Sequence, residues 1–266
     1  MSAAADFLAL HRPGEPLLMA NAWDAGSAVL LASLGFKALA TTSSGFAATL
    51  GRLDGSVSRE EALTHGATLA EAVDVPVSGD LENGFADDPE GVAETVRGAI
   101  IAGLAGCSIE DHTGREDDPN YPFEAAVERV GAAARAADGR IVLTARCERL
   151  LYGMDDLGEV VRRLQAFAEA GADVLFAPGL ARLEDIRTVV AEVDRPVNVL
   201  TVRGGPTMAE LAEAGVARVS VGGAFAFTAL AAVSDAAEEL LGPGTTGFLD
   251  RARRGSAAAR TAFRKG

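Results

Sequence analysis

A closed (β/α)8 TIM barrel is the fold class that the sequence predicts, and three observations predict it. Short apolar runs alternate with helical patterns eight times along the chain, which calls for a parallel sheet covered by helices. The length, 266 residues, suits one such barrel. An open doubly wound sheet is the alternative, but it carries a glycine-rich phosphate turn after its first strand, where this chain has Trp23-Asp24-Ala25-Gly26. Residues 1–242 are assigned to the barrel and 243–266 to a basic helical extension.

The elements follow in order. A short helical pattern around Ala5 to Leu10 is expected to cover one end of the barrel. Strand one is Leu17 to Asp24, and its helix stops at Gly35. Strand two is Ala38 to Ser43; Ser44-Gly45-Phe46 is expected to open a loop that runs to Asp54-Gly55. The hydroxyls of Thr42, Ser43 and Ser44, with amides freed by Gly45, suit a carboxylate, and an empty Ser/Gly turn is the other reading. Ser58 with Glu61 three residues on is a capping box opening a helix to about Val73, in which His65 is a surface or packing residue.

Strand three, Val75 to Asp80, delivers Asp80 and Glu82 to its end. Residues i and i+2 of a strand share a face, so both carboxylates are expected to point one way. Two such charges repel unless a cation sits between them, and hard oxygen ligands suit Mg²⁺, or Mn²⁺ as the alternative. A helix from about Glu90 to Gly103 leads to strand four, Gly106 to Asp111, which brings a third carboxylate, Glu110. The charged, proline-bearing segment from His112 to Pro122 reads as a lid. Helix four takes Phe123 to Ala137, and strand five, Arg140 to Arg146, ends on an arginine whose charge must find a carboxylate or a ligand; Glu148 is placed to orient it. Strand six (Asp173 to Pro178), strand seven (Pro196 to Leu200, with Asn198) and strand eight (Arg218 to Gly223) complete the set, each with its helix, the last Ala-rich to about Leu241. In a barrel the strand ends converge, so Trp23, Ser43, Asp80, Glu82, Glu110 and Arg146 are expected at one mouth.

Hydrophobic residues make up 48% of the chain but aromatics only 5%, so the core must be built from Ala, Val and Leu. A net charge of −14 excludes a phosphate-tracking nucleic-acid surface. No apolar run approaches the ~18 residues of a membrane span, and no signal peptide is expected. Cys107 and Cys147 lie at or beside strands and are read as reduced thiols of a cytoplasmic protein. The late basic residues, from Arg251 to Lys265, form either a helix on a neighbouring subunit or a solvated tail.

Gly35-Phe36-Lys37, Asp54, Asp80-Leu81-Glu82-Asn83-Gly84-Phe85, Ile109-Glu110-Asp111, Ala145-Arg146-Cys147-Glu148 and Ala170-Gly171-Ala172-Asp173 occur in that order. In these runs, from about Leu17 to Ala229, the chain resembles the isocitrate lyase/phosphoenolpyruvate mutase superfamily. The resemblance implies a Mg²⁺-dependent barrel acting on 2-oxo or 2-hydroxy acids, and a homo-oligomer, commonly a tetramer built from dimers that exchange their eighth helix. It implies Asp80 at the metal, with Asp54, Glu82 and Glu110 reaching it through water. It further implies Thr42, Ser43 and Ser44 on a substrate carboxylate, and Arg146 on the 2-oxo acid.

Members that cleave isocitrate or methylisocitrate carry a Lys-Lys/Arg-Cys-Gly-His run after strand four, where this chain has Glu116-Asp117-Asp118-Pro119-Asn120. The phosphonate branches carry a loop lysine and a histidine after strand six; here there is no lysine and the histidine's place is Ala177. The leading expectation is therefore a Mg²⁺-dependent lyase that breaks a C–C bond of a small 2-oxo or 2-hydroxy dicarboxylic acid, such as oxaloacetate or an alkylmalate, through an enolate. A phosphonopyruvate-type C–P hydrolase or mutase and a catalytically weak 2-oxo-acid-binding protein are the alternatives. Arg146, Asp54 and His112 are the expected catalytic residues, with Asp118 and Tyr121 as other proton donors to weigh. Trp23, Thr42, Ser43, Ser44, Arg146 and Asn198 are expected on the substrate and Asp80, Glu82 and Glu110 on the metal.

Overall fold

Parallel pairing runs unbroken around the sheet in the computed structural model, which describes residues 3–265. The strands are β1 (Leu17–Asn21), β2 (Leu39–Ala40), β3 (Val77–Asp80), β4 (Gly106–Glu110), β5 (Val142–Arg146), β6 (Val174–Phe176), β7 (Val197–Leu200) and β8 (Arg218–Ser220). They close in sequence order, with β8 pairing back onto β1. The (β/α)8 barrel is thus the observed fold. Asn21 ties the closing seam at the mouth: its Oδ1 accepts from Val221 N at 3.2 Å and Gly222 N at 2.9 Å, and its Nδ2 donates to the Thr41 carbonyl at 2.8 Å.

Helix α1 (Ala3–Leu8) stops one end of the barrel, as expected. Its fully buried Phe7 packs with Leu17, Met19, Ala38, Ala40, Ala105, Val142 and Val174. A side chain at Gly106 would meet the Phe7 ring at 2.6 Å, so a glycine is required there. The outer helices are α2 (Ala25–Ser33), α4 (Arg59–Ala72), α5 (Pro89–Ile101), α6 (Phe123–Ala137), α7 (Leu157–Glu169), α8 (Leu183–Glu192) and α9 (Met208–Glu213). They bury Leu69, Val96, Leu164, Phe167, Ile186 and Leu211 against the outward faces of the strands. Ser58 and Glu61 form the expected capping box of α4, and α6 keeps the expected bounds.

One segment differs from expectation. The supposed loop after strand two begins with a helix, α3 (Ser43–Thr49), because Thr42 acts as its N-cap and accepts from Gly45 N at 3.3 Å. Gly45 cannot be larger: a Cβ there would lie 2.6 Å from Thr42 Cγ2 and 3.2 Å from the Cβ of Trp23. His65 is a packing residue, stacked on Phe46 at 3.9 Å.

The last barrel helix, α10 (Ala224–Leu241), leaves the barrel wall, with only Ala226 buried among its residues. Consequently Leu18, which points outward from β1 between the inward Leu17 and Met19, is 46% exposed. The basic extension forms α11 (Phe248–Ala262), which packs along α2. Cys107 and Cys147 are both buried and free, and among the described residues no helix is long and apolar enough to cross a membrane.

Candidate active site

Arg146 ends β5 and is enclosed by carboxylates. Its Nη1 donates to Asp80 Oδ1 at 2.9 Å, its Nη2 lies 3.1 Å from Glu110 Oε2 and 2.7 Å from Glu148 Oε1, and its Nε reaches the same Glu148 oxygen at 3.0 Å. Burial opposes the charge on Arg146, but Glu148, Glu110 and Asp80 outweigh it and hold the guanidinium well above its usual pKa. Asp80 ends β3 and is held from two more sides, accepting from Ser43 N at 3.2 Å and from Ser108 Oγ at 3.4 Å. Behind Glu148, the buried Asp111 accepts from the Glu148 N–H at 2.7 Å and from Arg163 at 3.0 Å, which fixes the chain just after β5.

Glu82 reaches the mouth by a different route from the one expected. The strand ends at Asp80, Leu81 turns into the core, and Glu82 adopts φ +47°, a left-handed backbone seldom used by a side chain of this kind. Burial, with Asp80 and Asp54 nearby, pushes its carboxyl up to about 7, against the pull of Arg146. Glu110 is also raised, first by burial and then by Glu148, Asp80 and Glu82, with Arg146 opposing. Asp80, Glu82, Glu110 and Glu148 thus share one guanidinium.

Among the described residues, no group of three or more His, Cys, Asp or Glu stands in position to hold a metal ion. The three carboxylates expected at a metal therefore do not form a closed cage, because Arg146 sits among them. The donor set still fits Mg²⁺ or Mn²⁺: it is all oxygen and more negative than one arginine balances, and Mg²⁺ commonly takes one or two carboxylates and keeps several waters.

Two cavities meet at Arg146. The open mouth, about 1030 Å³, is lined by Asp54, Glu82, Glu110, His112, Glu148 and Tyr152 among others. A deeper one of about 180 Å³ is lined by Thr42, Ser44, Asp80, Asn198 and Arg218. Ser43, Asp54, Arg146 and Leu151 border both. Trp23, expected at the substrate, borders neither; α3 stands between, and Trp23 lines a separate cavity with Asp24, Phe46 and His65.

The three proton-donor candidates separate clearly. Asp118 is exposed and paired with Arg115 at 3.4 Å. Tyr121 is buried under Arg129 and lines neither cavity; its hydroxyl donates to Asp87 at 2.5 Å and accepts from Asn83 at 3.2 Å, so its proton is held by a residue of the mouth wall. His112 lines the mouth. Its Nδ1 lies 2.6 Å from the Pro119 carbonyl, which only accepts, so in the neutral ring Nδ1 carries the proton and Nε2 accepts from Tyr152 Oη at 3.0 Å. Tyr152 sits on a single 3-10 turn (Arg149–Tyr152), stacked on His112 at 4.3 Å. Sequence reading missed it; its signal was a tyrosine a few residues past the arginine-tipped strand.

The sequence profile of the phosphoenolpyruvate phosphomutase family matches residues 7–241. A Burkholderia cenocepacia J2315 protein, assigned only broadly as a lyase or mutase, superposes with a TM-score of 0.89 at 49% identity, covering 93% of this chain and 91% of its own. The 2-methylisocitrate lyase of Escherichia coli K12 is 30% identical over 71% of this chain and 70% of its own. Oxaloacetate acetylhydrolase, in complex with its product oxalate, superposes with a TM-score of 0.84 at 26% identity, over 92% and 89% of the two chains. The chain is a member of the isocitrate lyase/phosphoenolpyruvate mutase superfamily of enzymes.

Proposed function

We propose that the protein is a Mg²⁺-dependent lyase that cleaves the C2–C3 bond of a small 2-hydroxy or hydrated 2-oxo dicarboxylic acid of the size of oxaloacetate or an alkylmalate. The observation that carries the proposal is Arg146 ringed by Asp80, Glu110 and Glu148 at the floor of an open mouth. Such a site can grip a 2-oxo acid and has more negative charge than it can balance alone. The likeness to 2-methylisocitrate lyase and oxaloacetate acetylhydrolase supports it. Asp80, Glu82 and Glu110 would hold the cation, whose chemistry when bound is that of a Lewis acid beside the reacting oxygen.

The remaining work falls to this chain's residues. Arg146 binds the C1–C2 end of the acid and offsets negative charge on the C2 oxygen. Thr42, Ser43 and Ser44 take a carboxylate. Asp54, which borders both cavities, accepts the proton of the C2 hydroxyl. The C2–O bond becomes a carbonyl as C2–C3 breaks, and the electron pair leaves with C3 as the enolate of the departing carboxylic acid. Tyr152, positioned by His112, turns its hydroxyl proton from His112 Nε2 to C3, and the proton taken by Asp54 returns to Tyr152 through solvent, completing a 2-oxo acid (oxalate, from a hydrated 2-oxo acid) and a carboxylic acid.

A homo-oligomer belongs to the same proposal. Helix α10 leaves its own barrel while Leu18 on β1 stands uncovered, so a second copy's α10 laid over β1 would satisfy both. The free buried thiols suit a reducing cytoplasm. The test is turnover of oxaloacetate and alkylmalates with Mg²⁺ by the full chain, with Asp80→Ala expected to abolish it. Phosphate release from phosphonopyruvate alone would favour C–P chemistry, and binding of oxalate without any turnover would favour a binding protein.

A further inference from the structure

Arg218 opens β8 with its side chain inside the barrel, 3% exposed. Its Nε donates to Asn198 Oδ1 at 2.9 Å and its Nη1 to Thr144 Oγ1 at 3.2 Å, with His11 Nε2 at 3.3 Å. His11 supplies no negative charge: its Nδ1 donates to the Phe7 carbonyl, and burial and Arg218 hold its pKa down to about 3. Among the described residues no carboxylate pairs with Arg218, and its Nη2 has no hydrogen-bond partner. Burial, then repulsion from Arg146, lowers its pKa to about 9, which still leaves it charged at neutral pH. Of the other buried arginines, Arg163 is paired with Asp111 and Glu159, and Arg129 donates to three backbone carbonyls while its Nε has no partner.

A buried guanidinium without an anion is costly, so its surroundings matter. The deeper cavity runs between Arg218 and Arg146; two carboxylates line it, Asp80, which is paired with Arg146, and Asp54, and the rest of its wall mixes hydroxyls and amides such as Ser78, Ser220 and Asn198 with apolar Met19 and Phe176. At about 180 Å³ it holds several waters or one end of a small acid. It opens to the mouth at Arg146.

We propose that this cavity is a second anion subsite, in which Arg218 receives the far carboxylate of the acid whose other end is bound at Arg146. The inference rests on the small-acid reading of the mouth and deepens it: the acid must carry two anionic groups, one of them reaching into the barrel.

The test is calorimetric binding to the full-length protein with Mg²⁺, using oxalate, malonate, succinate and glutarate beside monocarboxylates of matching length. One dicarboxylate length is expected to bind about 10–100-fold tighter than its monocarboxylate, the worth of one charged hydrogen-bonded contact. Arg218→Met should erase that preference while oxalate still binds, and should raise the melting temperature of the ligand-free protein. Asn198→Asp, which places an internal carboxylate beside Arg218, should erase the preference too and provides the test if Arg218→Met does not fold. An unchanged preference in both variants, or no preference at any length while oxalate binds, overturns the subsite. Free monocarboxylate matching the dicarboxylate would show a separate small anion there, which also overturns it as part of the substrate site. Failure of oxalate itself to bind would instead overturn the small-acid reading.

Discussion

Arg146 Nη1 and Asp80 Oδ1 lie 2.9 Å apart, joining the ends of β5 and β3 across 66 residues of sequence. Glu110, at the end of the strand between them, faces the same guanidinium at 3.1 Å. Arg146 is therefore the counter-ion of the mouth as well as its acid-binding group. Arg146→Lys should lower kcat/KM by roughly 100-fold or more, because a point charge replaces a planar fork. Arg146→Met should also lose stability at neutral pH by about 3–5 kcal/mol, since it strands buried carboxylates. Steady-state kinetics and urea unfolding measure the two effects; unchanged stability in Arg146→Met would separate the arginine from the carboxylates.

The Tyr152–His112 contact at 3.0 Å carries a second prediction. Tyr152→Phe and His112→Asn are each expected to reduce kcat by ~10²–10⁴-fold with little change in KM, as for loss of a general acid. Equal loss in KM alone would make the pair a wall of the mouth rather than a proton source.

His65 gives a pH signature away from the site. Burial lowers its pKa to about 4, with Asp24 partly opposing, and its Nε2 has no hydrogen-bond partner. The unfolded chain, with an ordinary value of 6.5, binds the proton first, so this contribution is complete above pH 6.5 and is lost as pH falls through about 4. The loss is on the order of 3 kcal/mol. Denaturant melts from pH 7 to 4 should show a shallower decline in His65→Phe, which keeps the stack on Phe46; identical slopes would contradict the assignment.

Leu18 tests the oligomer. At 46% exposure on the outer face of β1 it would lie beneath a partner's helix. Leu18→Glu should shift sedimentation toward a smaller species, whereas a wild-type monomer would remove the need for any cover.

The strands were legible because each is an apolar run between turn residues, and the acids and arginine at their ends were legible because such residues have no place inside a sheet. Closing the barrel then brought Asp80, Glu82, Glu110 and Arg146 to one mouth. Local ambiguity hid α3, since Thr42-Ser43-Ser44-Gly45 reads equally as a turn or as a helix cap, and that helix in turn displaced Trp23 from the cavities. Alternation along a strand could not place Glu82, because the strand ends two residues earlier. Arg218 resembles an ordinary strand-edge arginine until Asn198, Thr144 and His11, from three distant stretches, close around it.

Calorimetric binding of oxalate, with and without Mg²⁺, to the wild-type chain and to Asp80→Ala tests whether a metal at Asp80 helps the mouth to hold a small acid. Mg²⁺ is expected to strengthen oxalate binding to the wild type, and Asp80→Ala to remove this dependence. Oxalate binding that is indifferent to Mg²⁺, or Mg²⁺ dependence that survives Asp80→Ala, would contradict this expectation.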